Sequence, residues 1–296
     1  MIEEKPRNCL RIAHISDLHF ARVCFNPLQF LSKRWVGNFN SLLTRKNAFL
    51  PEKLFYLPDL FKKIQVDHII ISGDLTTTSL HKEFKAAKEL VDALSKTGIP
   101  LYVIPGNHDH YTKSAYKKRI FYDYFPSSFD EKCPFNLKDD GLTLKPLGNN
   151  WSLIALDTTL ATPLFSSYGY FSKELESKLE KVLQETPKDH KILLTNHFPF
   201  FNNEVRKILK RAEDLKSLLQ KFPQVKLFLH GHNHRQILAD LRANNLPIIL
   251  DSGSTSHKQR GGWNLIDITE KECFAHQIET KKTKKTSFKW VSDGLE

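Results

Sequence analysis

No apolar run in the chain approaches the roughly 20 residues needed to span a bilayer, which excludes an integral helical membrane protein. Cysteine is scarce. Cys9, Cys24, Cys133 and Cys273 are the only four, and no two form a CxxC pair. That excludes a thiolate zinc site or a CxxC redox centre, and isolated thiols suit a reducing cytosol. No internal repeat and no low-complexity linker interrupts the sequence, so a solenoid is not expected. The first eight residues, Met1 to Asn8, are polar and charged, and no signal peptide is expected there. Acidic residues fall short of basic ones, 33 against 44, giving a net charge of +11 and a pI near 9.3. Such a balance suits phosphorylated ligands, nucleic acid or an anionic membrane surface, although a basic surface without a specific partner would look the same.

What is present is an alternation of short apolar runs with helical patterns, over 296 residues of which 40% are hydrophobic. That reads as an α/β chain large enough to bury a sizeable core. Strands are expected at Leu10–Ile15, His68–Ser72, Leu101–Ile104, Leu153–Leu156, Ile192–Thr195 and Lys226–Leu229. Helices are expected at Lys82–Lys96, Lys173–Gln184 and Glu204–Lys221. In the first of these, Phe84, Ala87, Leu90, Val91 and Leu94 follow the 3.6-residue period. Pro247–Leu250, Trp263–Ile268 and Cys273–Ile278 read as short strands completing a second sheet, and 281–296 as a basic exposed tail. The expected organisation is one domain over 1–280 followed by that tail.

Five expected strands run directly into polar clusters: Asp17-Leu-His19, Gly73-Asp74, Gly106-Asn-His-Asp109, Asn196-His197 and His230-Gly-His-Asn-His234. Ligand sites in open α/β sheets lie beyond the carboxyl ends of strands, so five such clusters can converge. Taken singly, each has a plain structural explanation. Asp17-x-His19 can be a loop or cap, and Asp74 an Asx-turn or helix N-cap. Gly-Asn is a common turn, and a lone histidine such as His197 is usually a satisfied one. Three imidazoles within five residues are harder to dismiss, since their mutual repulsion when protonated is removed by a cation. Asp109 is placed to orient the imidazole of His108, and His230 stands behind the other two histidines. Asp17, His19, Asp74, Asn107, His197, His232 and His234 together offer nitrogen and oxygen ligands without thiolate. That set suits Mn²⁺, Zn²⁺ or Fe and exceeds what one cation needs.

In this order, SDLH, SGDL, GNHD, NHFP and HGHNH resemble the motifs of the calcineurin-like metallophosphoesterase superfamily, from about residue 10 to 235. The resemblance implies a two-sheet α/β sandwich flanked by helices. It implies that Asp17, His19 and His234 hold one divalent cation, that Asn107, His197 and His232 hold another, and that Asp74 bridges them. His108 would meet the phosphoryl group or leaving oxygen. The implied activity is phosphoester or pyrophosphate hydrolysis through a metal-bridging hydroxide, with Mn²⁺ the first choice of metal. A scaffold that keeps the metals without turnover is the non-enzymatic alternative, against which the intact His108 and Asp74 argue.

Substrate choice belongs to insertions. Residues 21–58 carry Phe25, Phe30, Trp35, Phe39, Phe49, Phe55 and Tyr56, and six basic residues against the single acid Glu52. The segment reads as a cap, either packed as a buried lid or lying on an anionic membrane. Base stacking on nucleic acid ranks lower, because Leu and Phe outnumber base-reading polar residues. The candidate substrate contacts are Arg22, Phe30, Trp35 and Phe39, with Arg206 beyond the His197 motif. Within the superfamily this is similar to the enzymes that hydrolyse UDP-2,3-diacylglucosamine to UMP and 2,3-diacylglucosamine 1-phosphate in lipid A synthesis. Their better-known branch carries Arg where this chain has His108, so the similarity implies a divergent branch, cytoplasmic and peripheral on the inner face of the membrane. A cyclic-nucleotide or general phosphodiesterase is the alternative.

Overall fold

The computed structural model describes residues 2–22, 48–279 and 282–290. Fourteen strands follow in chain order among them. They are β1 (Leu10–Ile15), β2 (His68–Ile71), β3 (Leu101–Val103), β4 (Leu142–Gly148), β5 (Trp151–Leu156), β6 (Gly169–Tyr170) and β7 (Lys191–Thr195). The remainder are β8 (Leu209–Lys210), β9 (Val225–His230), β10 (Gln236–Asp240), β11 (Ile248–Ser252), β12 (Gly262–Ile268), β13 (Glu272–Glu279) and β14 (Thr283–Lys289). One six-stranded sheet has the order β14-β13-β12-β1-β2-β3, the other β10-β11-β9-β7-β5-β4, and β6 pairs with β8 alone. β1, β2 and β3 are mutually parallel, as are β5, β7, β9 and β11, so all their carboxyl ends point one way within each sheet.

Side-chain alternation distributes the core into layers. On β1 and β2, Ile12 and Ile70 face Leu153, Leu193, Leu227 and Leu250 between the sheets. Ala13, Ile15, Ile69 and Ile71 face outward onto helices α1 (Leu57–Lys63) and α2 (His81–Ser95), through Phe61, Phe84, Leu90 and Leu94. The second sheet meets α3 (Lys173–Glu185) and α4 (Ala212–Gln220) in the same way, with Ile154, Leu194 and Phe228 against Leu179, Leu183, Leu215 and Leu218. Ser172 caps α3 by accepting from Leu175 N at 3.0 Å. No helix among the described residues is long and apolar enough to cross a membrane.

Three expectations need correction. Residues 204–221 are not one helix. A 3-10 turn at Val205–Lys207, the short β8 and a left-handed Arg211 (φ 63°) precede α4. The break is tied down by neighbouring loops: Ser167 N donates to Arg206 O at 2.9 Å, and the Arg211 guanidinium reaches Phe171 O and Glu176. Second, β12 and β13 extend the first sheet beside β1, and only β11 joins the other. Third, the described part of the basic stretch after 281, residues 282–290, is paired rather than loose. Most of its side chains are exposed, but β14 ladders onto β13, Phe288 is buried, and Trp290 Nε1 donates to Thr269 O at 3.1 Å.

The β1–β12 seam contains a buried fork. Arg11 Nε and Nη2 donate to Asp267 Oδ1 and Oδ2 at 2.6 and 2.7 Å. Burial works against the Asp267 charge, but the bonds to Arg11 outweigh it and hold the carboxyl down at about 2. Asp267→Ala strands the guanidinium and should cost about 3–5 kcal/mol in urea unfolding at neutral pH. The folded pKa lies below the unfolded value of about 3.9, so the contribution is complete at neutral pH and is lost as pH falls towards 2. The gap between wild type and variant should therefore close over that acid window, and a gap that is absent or flat with pH would refute the assignment.

Candidate metal centre

The five polar clusters occupy the loops leaving β1, β2, β3, β7 and β9, and hydrogen bonds stitch those loops together. Asp17 N donates to Gly73 O and His19 N to Asp74 O, both at 3.0 Å. Gly231 N donates to His197 O at 3.1 Å, His232 N to Asp17 Oδ2 at 3.0 Å, and His108 N to Asp74 Oδ1 at 2.7 Å. The turns are tight enough that Asp17, His19, Asp74, His232 and His234 all adopt positive φ. Such clustering of non-glycine residues in the left-handed region is a mark of a functional constraint. Gly73, at φ 103°, is also required: a Cβ there would stand 2.7 Å from His197 Nδ1 and 2.8 Å from Gly106 N.

Two adjacent constellations result. In the first, His234 Nε2 lies 3.0 Å from both Asp17 Oδ1 and His19 Nε2, and His19 Nε2 lies 3.6 Å from Asp17 Oδ1. In the second, His197 Nε2 lies 3.2 Å from Asn107 Oδ1 and 3.4 Å from Asp74 Oδ2. His197 donates from Nδ1 to Ser72 O at 2.8 Å, which leaves Nε2 as the atom facing those oxygens. The His232 ring stands 5.2 Å from that of His197. Its Nε2 meets Lys207 O at 3.1 Å, so Nδ1 is the nitrogen left for a ligand role. Asp74 Oδ2 sits between the constellations, 3.9 Å from His19 Nε2 on the other side.

A cation fits this donor set. Lone pairs of His197 Nε2, Asn107 Oδ1 and Asp74 Oδ2 converge, and two imidazole nitrogens face one another at His19 and His234. Asp17 Oδ1 and His19 Nδ1 are buried without a hydrogen-bond partner among the described residues. Asp17, His19 and His234 offer ligand atoms within 4.8 Å of one another, as do Asp17, Asp74 and His197, and His19, Asp74 and His108. Electrostatics show the same demand for positive charge. Burial opposes a charged His197, yet Asp74 outweighs it and lifts the imidazole to about 9. Burial, aided by the His197 charge, drives His232 down to about 3.

His108 lies at the edge, its ring 5.0 Å from that of His19 and stacked 5.4 Å from Tyr111. It donates from Nδ1 to Thr77 O at 2.7 Å, so Nε2 is its reactive nitrogen. Asp109 does not orient this imidazole. Its carboxylate accepts from Leu75 N, Thr76 N, Thr76 Oγ1 and Gly106 N, fastening the β2 and β3 loops to each other. His230 is buried behind the centre, 3.5 Å from Asp251 Oδ2.

The expected substrate contacts fare differently. Phe30, Trp35 and Phe39 lie outside the described residues. The Arg22 guanidinium turns to Glu52 Oε1 at 3.3 Å, and its backbone N–H to Glu83. Arg206 is exposed, next to the Lys207 whose carbonyl meets His232. Among the described cap aromatics, Phe49 is placed at the centre, 4.7 Å from the His19 ring and 5.5 Å from that of His234. Sequence reasoning missed the β11 loop. Ser254 Oγ donates to Asp17 O at 2.7 Å, Thr255 N to Ser16 O, and His257 packs on Phe49 at 5.4 Å. Asp251-Ser-Gly-Ser-Thr-Ser-His257 is a sixth polar cluster following a strand, and by that signal it could have been found.

Known proteins resemble this chain in sequence and in fold. The family model described as calcineurin-like phosphoesterase matches residues 10–236. A probable glycerophosphodiester phosphodiesterase of Arcobacter nitrofigilis is 32% identical over 201 residues, covering 66% of each chain. A 3',5'-cyclic-nucleotide phosphodiesterase of a Nostoc species is 23% identical over 230 residues, 77% of this chain and 72% of its own. The chain thus spans about two thirds of the length of the first relative. A dimetal phosphatase of Danio rerio shares the fold, with a TM-score of 0.65 at 12% identity over 93% of this chain and 98% of its own.

Proposed function

Because the chain belongs to the calcineurin-like phosphoesterase family, and is thereby a metal-dependent phosphohydrolase, we propose that it hydrolyses small phosphodiesters at a pair of divalent cations. The observation that carries this reading is Asp74 between the two constellations, with His108 beside it. Asp17, His19 and His234 would hold one cation, Asn107, His197 and His232 the other, and Asp74 both, with Mn²⁺ the first metal to try. When bound, the cations polarise the phosphoryl oxygen and lower the pKa of water. The chain does the rest. Ser72, Lys207 and Ser254 fix the ligand loops through the bonds described above, so little reorganises during reaction. His108, its Nδ1 proton committed to Thr77 O, presents Nε2 to the leaving oxygen and supplies a proton there. Phe49 packs against the His19 and His234 rings at the rim of the site.

A diester is favoured because both curated relatives described above are phosphodiesterases, one for glycerophosphodiesters and one for cyclic nucleotides. A UDP-linked diacyl sugar has less support. Arg22 is engaged by Glu52, and neither relative described above is named for a nucleotide-linked lipid. With Mn²⁺ present, glycerophosphodiesters and bis(p-nitrophenyl) phosphate should be cleaved at least about tenfold faster, by kcat/KM, than p-nitrophenyl phosphate, which corresponds to about 1.4 kcal/mol of transition-state preference. Equal or greater turnover of the monoester would overturn the diester reading. Cleavage of UDP-2,3-diacylglucosamine in preference to its deacylated counterpart would restore the lipid reading.

A further inference from the structure

Eight large apolar side chains are notably exposed among the described residues, and five of them, Leu164, Phe165, Tyr170, Phe201 and Val205, lie on two joined loops. Those loops leave the carboxyl ends of β5 and β7. They are laced by the Ser167 N to Arg206 O bond and by the parallel pairing of β6 with β8. Singly exposed apolar residues are ordinary, whereas a cluster at one place is not. Two members are extreme: Val205 is 78% exposed and Phe165 67%. Phe165 also occupies the third position of a turn closed by Ser166 N to Pro163 O at 3.2 Å, with φ 63°. Glycine or asparagine normally fills such a corner, and a bulky aromatic held there with its ring in solvent gains nothing in packing.

Cations border the patch. Arg206 and Lys210 are exposed and have no carboxylate partner among the described residues, while Lys210 Nζ lies 3.8 Å over the Tyr168 ring. Lys216 Nζ lies 4.4 Å over the Phe201 ring but is mostly buried and paired with Glu213, so it serves as packing rather than as a free cation. Lys207 is paired with the exposed Glu204, so Arg206 and Lys210 are the free cations here, and an apolar tip flanked by such cations is the pattern of interfacial membrane contact. The patch is also tied to the metal centre, since the loop that carries Phe201, Val205 and Arg206 gives its Lys207 carbonyl to His232.

We infer that the 164–170 and 201–210 loops form an interfacial docking surface for an anionic phospholipid bilayer, which holds the mouth of the metal centre against the headgroups. Leu164, Phe165, Phe201 and Val205 enter the apolar boundary, and Arg206 and Lys210 attract the anionic surface. This surface is separate from the cap segment and does not rest on the diester reading.

Co-sedimentation of the Mn²⁺-loaded chain with vesicles tests it, using phosphatidylcholine alone and phosphatidylcholine mixed with phosphatidylglycerol. Wild type should partition onto the mixed vesicles, more weakly as salt is raised. The double variant Phe165→Asp, Val205→Asp should bind at least tenfold more weakly, yet turn over soluble bis(p-nitrophenyl) phosphate within twofold of wild type. In Phe165→Trp, added mixed vesicles should shift the tryptophan emission to the blue. The inference is overturned if wild type binds neither vesicle, if the double variant binds as wild type does, or if its turnover of the soluble diester falls in parallel. It is equally overturned if the double variant only converts a dimer to a monomer, since a second copy of the chain would then be what covers the patch.

Discussion

Replacing Asp74 by alanine should reduce turnover by on the order of 10⁴ or more and release both cations. Its Oδ2 lies 3.4 Å from His197 Nε2 and 3.9 Å from His19 Nε2, so this one carboxylate faces both constellations. Metal-derived charge stabilisation amounts to several kcal/mol, and each 1.36 kcal/mol is a decade in rate. Burial disfavours the Asp74 charge, but His197 and His108 outweigh it and hold the carboxyl well below the usual range. The ionised form is thus the one the site is built around. Asp74 Oδ1 also accepts from His108 N, so alanine removes a buried acceptor as well. Asp74→Asn separates these effects, because it keeps the acceptor and loses the charge. Metal analysis should find both cations lost or weakened in each variant, with the fold kept in the asparagine form. Two retained ions with near-normal turnover would remove Asp74 from the centre.

The second large effect is expected at His108. His108→Ala should leave metal content near that of wild type and cut turnover by roughly 10²–10⁴, the range for a general acid or a transition-state donor. The geometry sets up a contest between two roles. His108, with Asp74 and His19, offers ligand atoms within 4.8 Å, so a cation could also be held there. The bond from Nδ1 to Thr77 O turns the ring so that a single nitrogen, Nε2, is available for either role. Metal content decides: loss of one cation in His108→Ala would make this residue a ligand and leave the leaving-group proton without a source. If it is the acid, a leaving group of low pKa such as p-nitrophenolate should suffer less from the variant than an alkoxide.

The catalytic end of the fold was legible because strand and site share one signal. Apolar runs such as Ile69-Ile70-Ile71 announce buried parallel strands, and each turns at once into a polar cluster. β1 coincides residue for residue with its apolar run, and β2, β3, β7 and β9 do so to within a residue at either end. What it could not see depends on long-range contacts. The pattern over 204–221 is amphipathic enough for a helix, but Arg206 and Lys207 give their carbonyls to Ser167 and His232, which a continuous helix would consume internally. β14 has mostly exposed side chains and no apolar run, and only its ladder to β13 makes it a strand. Asp109 stands beside His108 in sequence yet serves the backbone of Thr76 and Gly106, because its buried carboxylate needs donors and the β2 and β3 loops supply them. The left-handed backbones of Asp17, His19, Asp74, His232 and His234 leave no trace in residue type beyond the known tolerance of Asp and His for that region.

Asp17, His19, Asp74, Asn107, His197, His232 and His234 are expected to hold two cations that the reaction requires. The most direct test strips the chain with chelator, restores Mn²⁺ in steps, and follows bound metal by mass spectrometry beside turnover of bis(p-nitrophenyl) phosphate. The expected result is no turnover in the stripped chain, saturation at two ions per chain, and full activity only with the second. Full turnover by the stripped chain, or saturation of both binding and activity at a single ion, would contradict it.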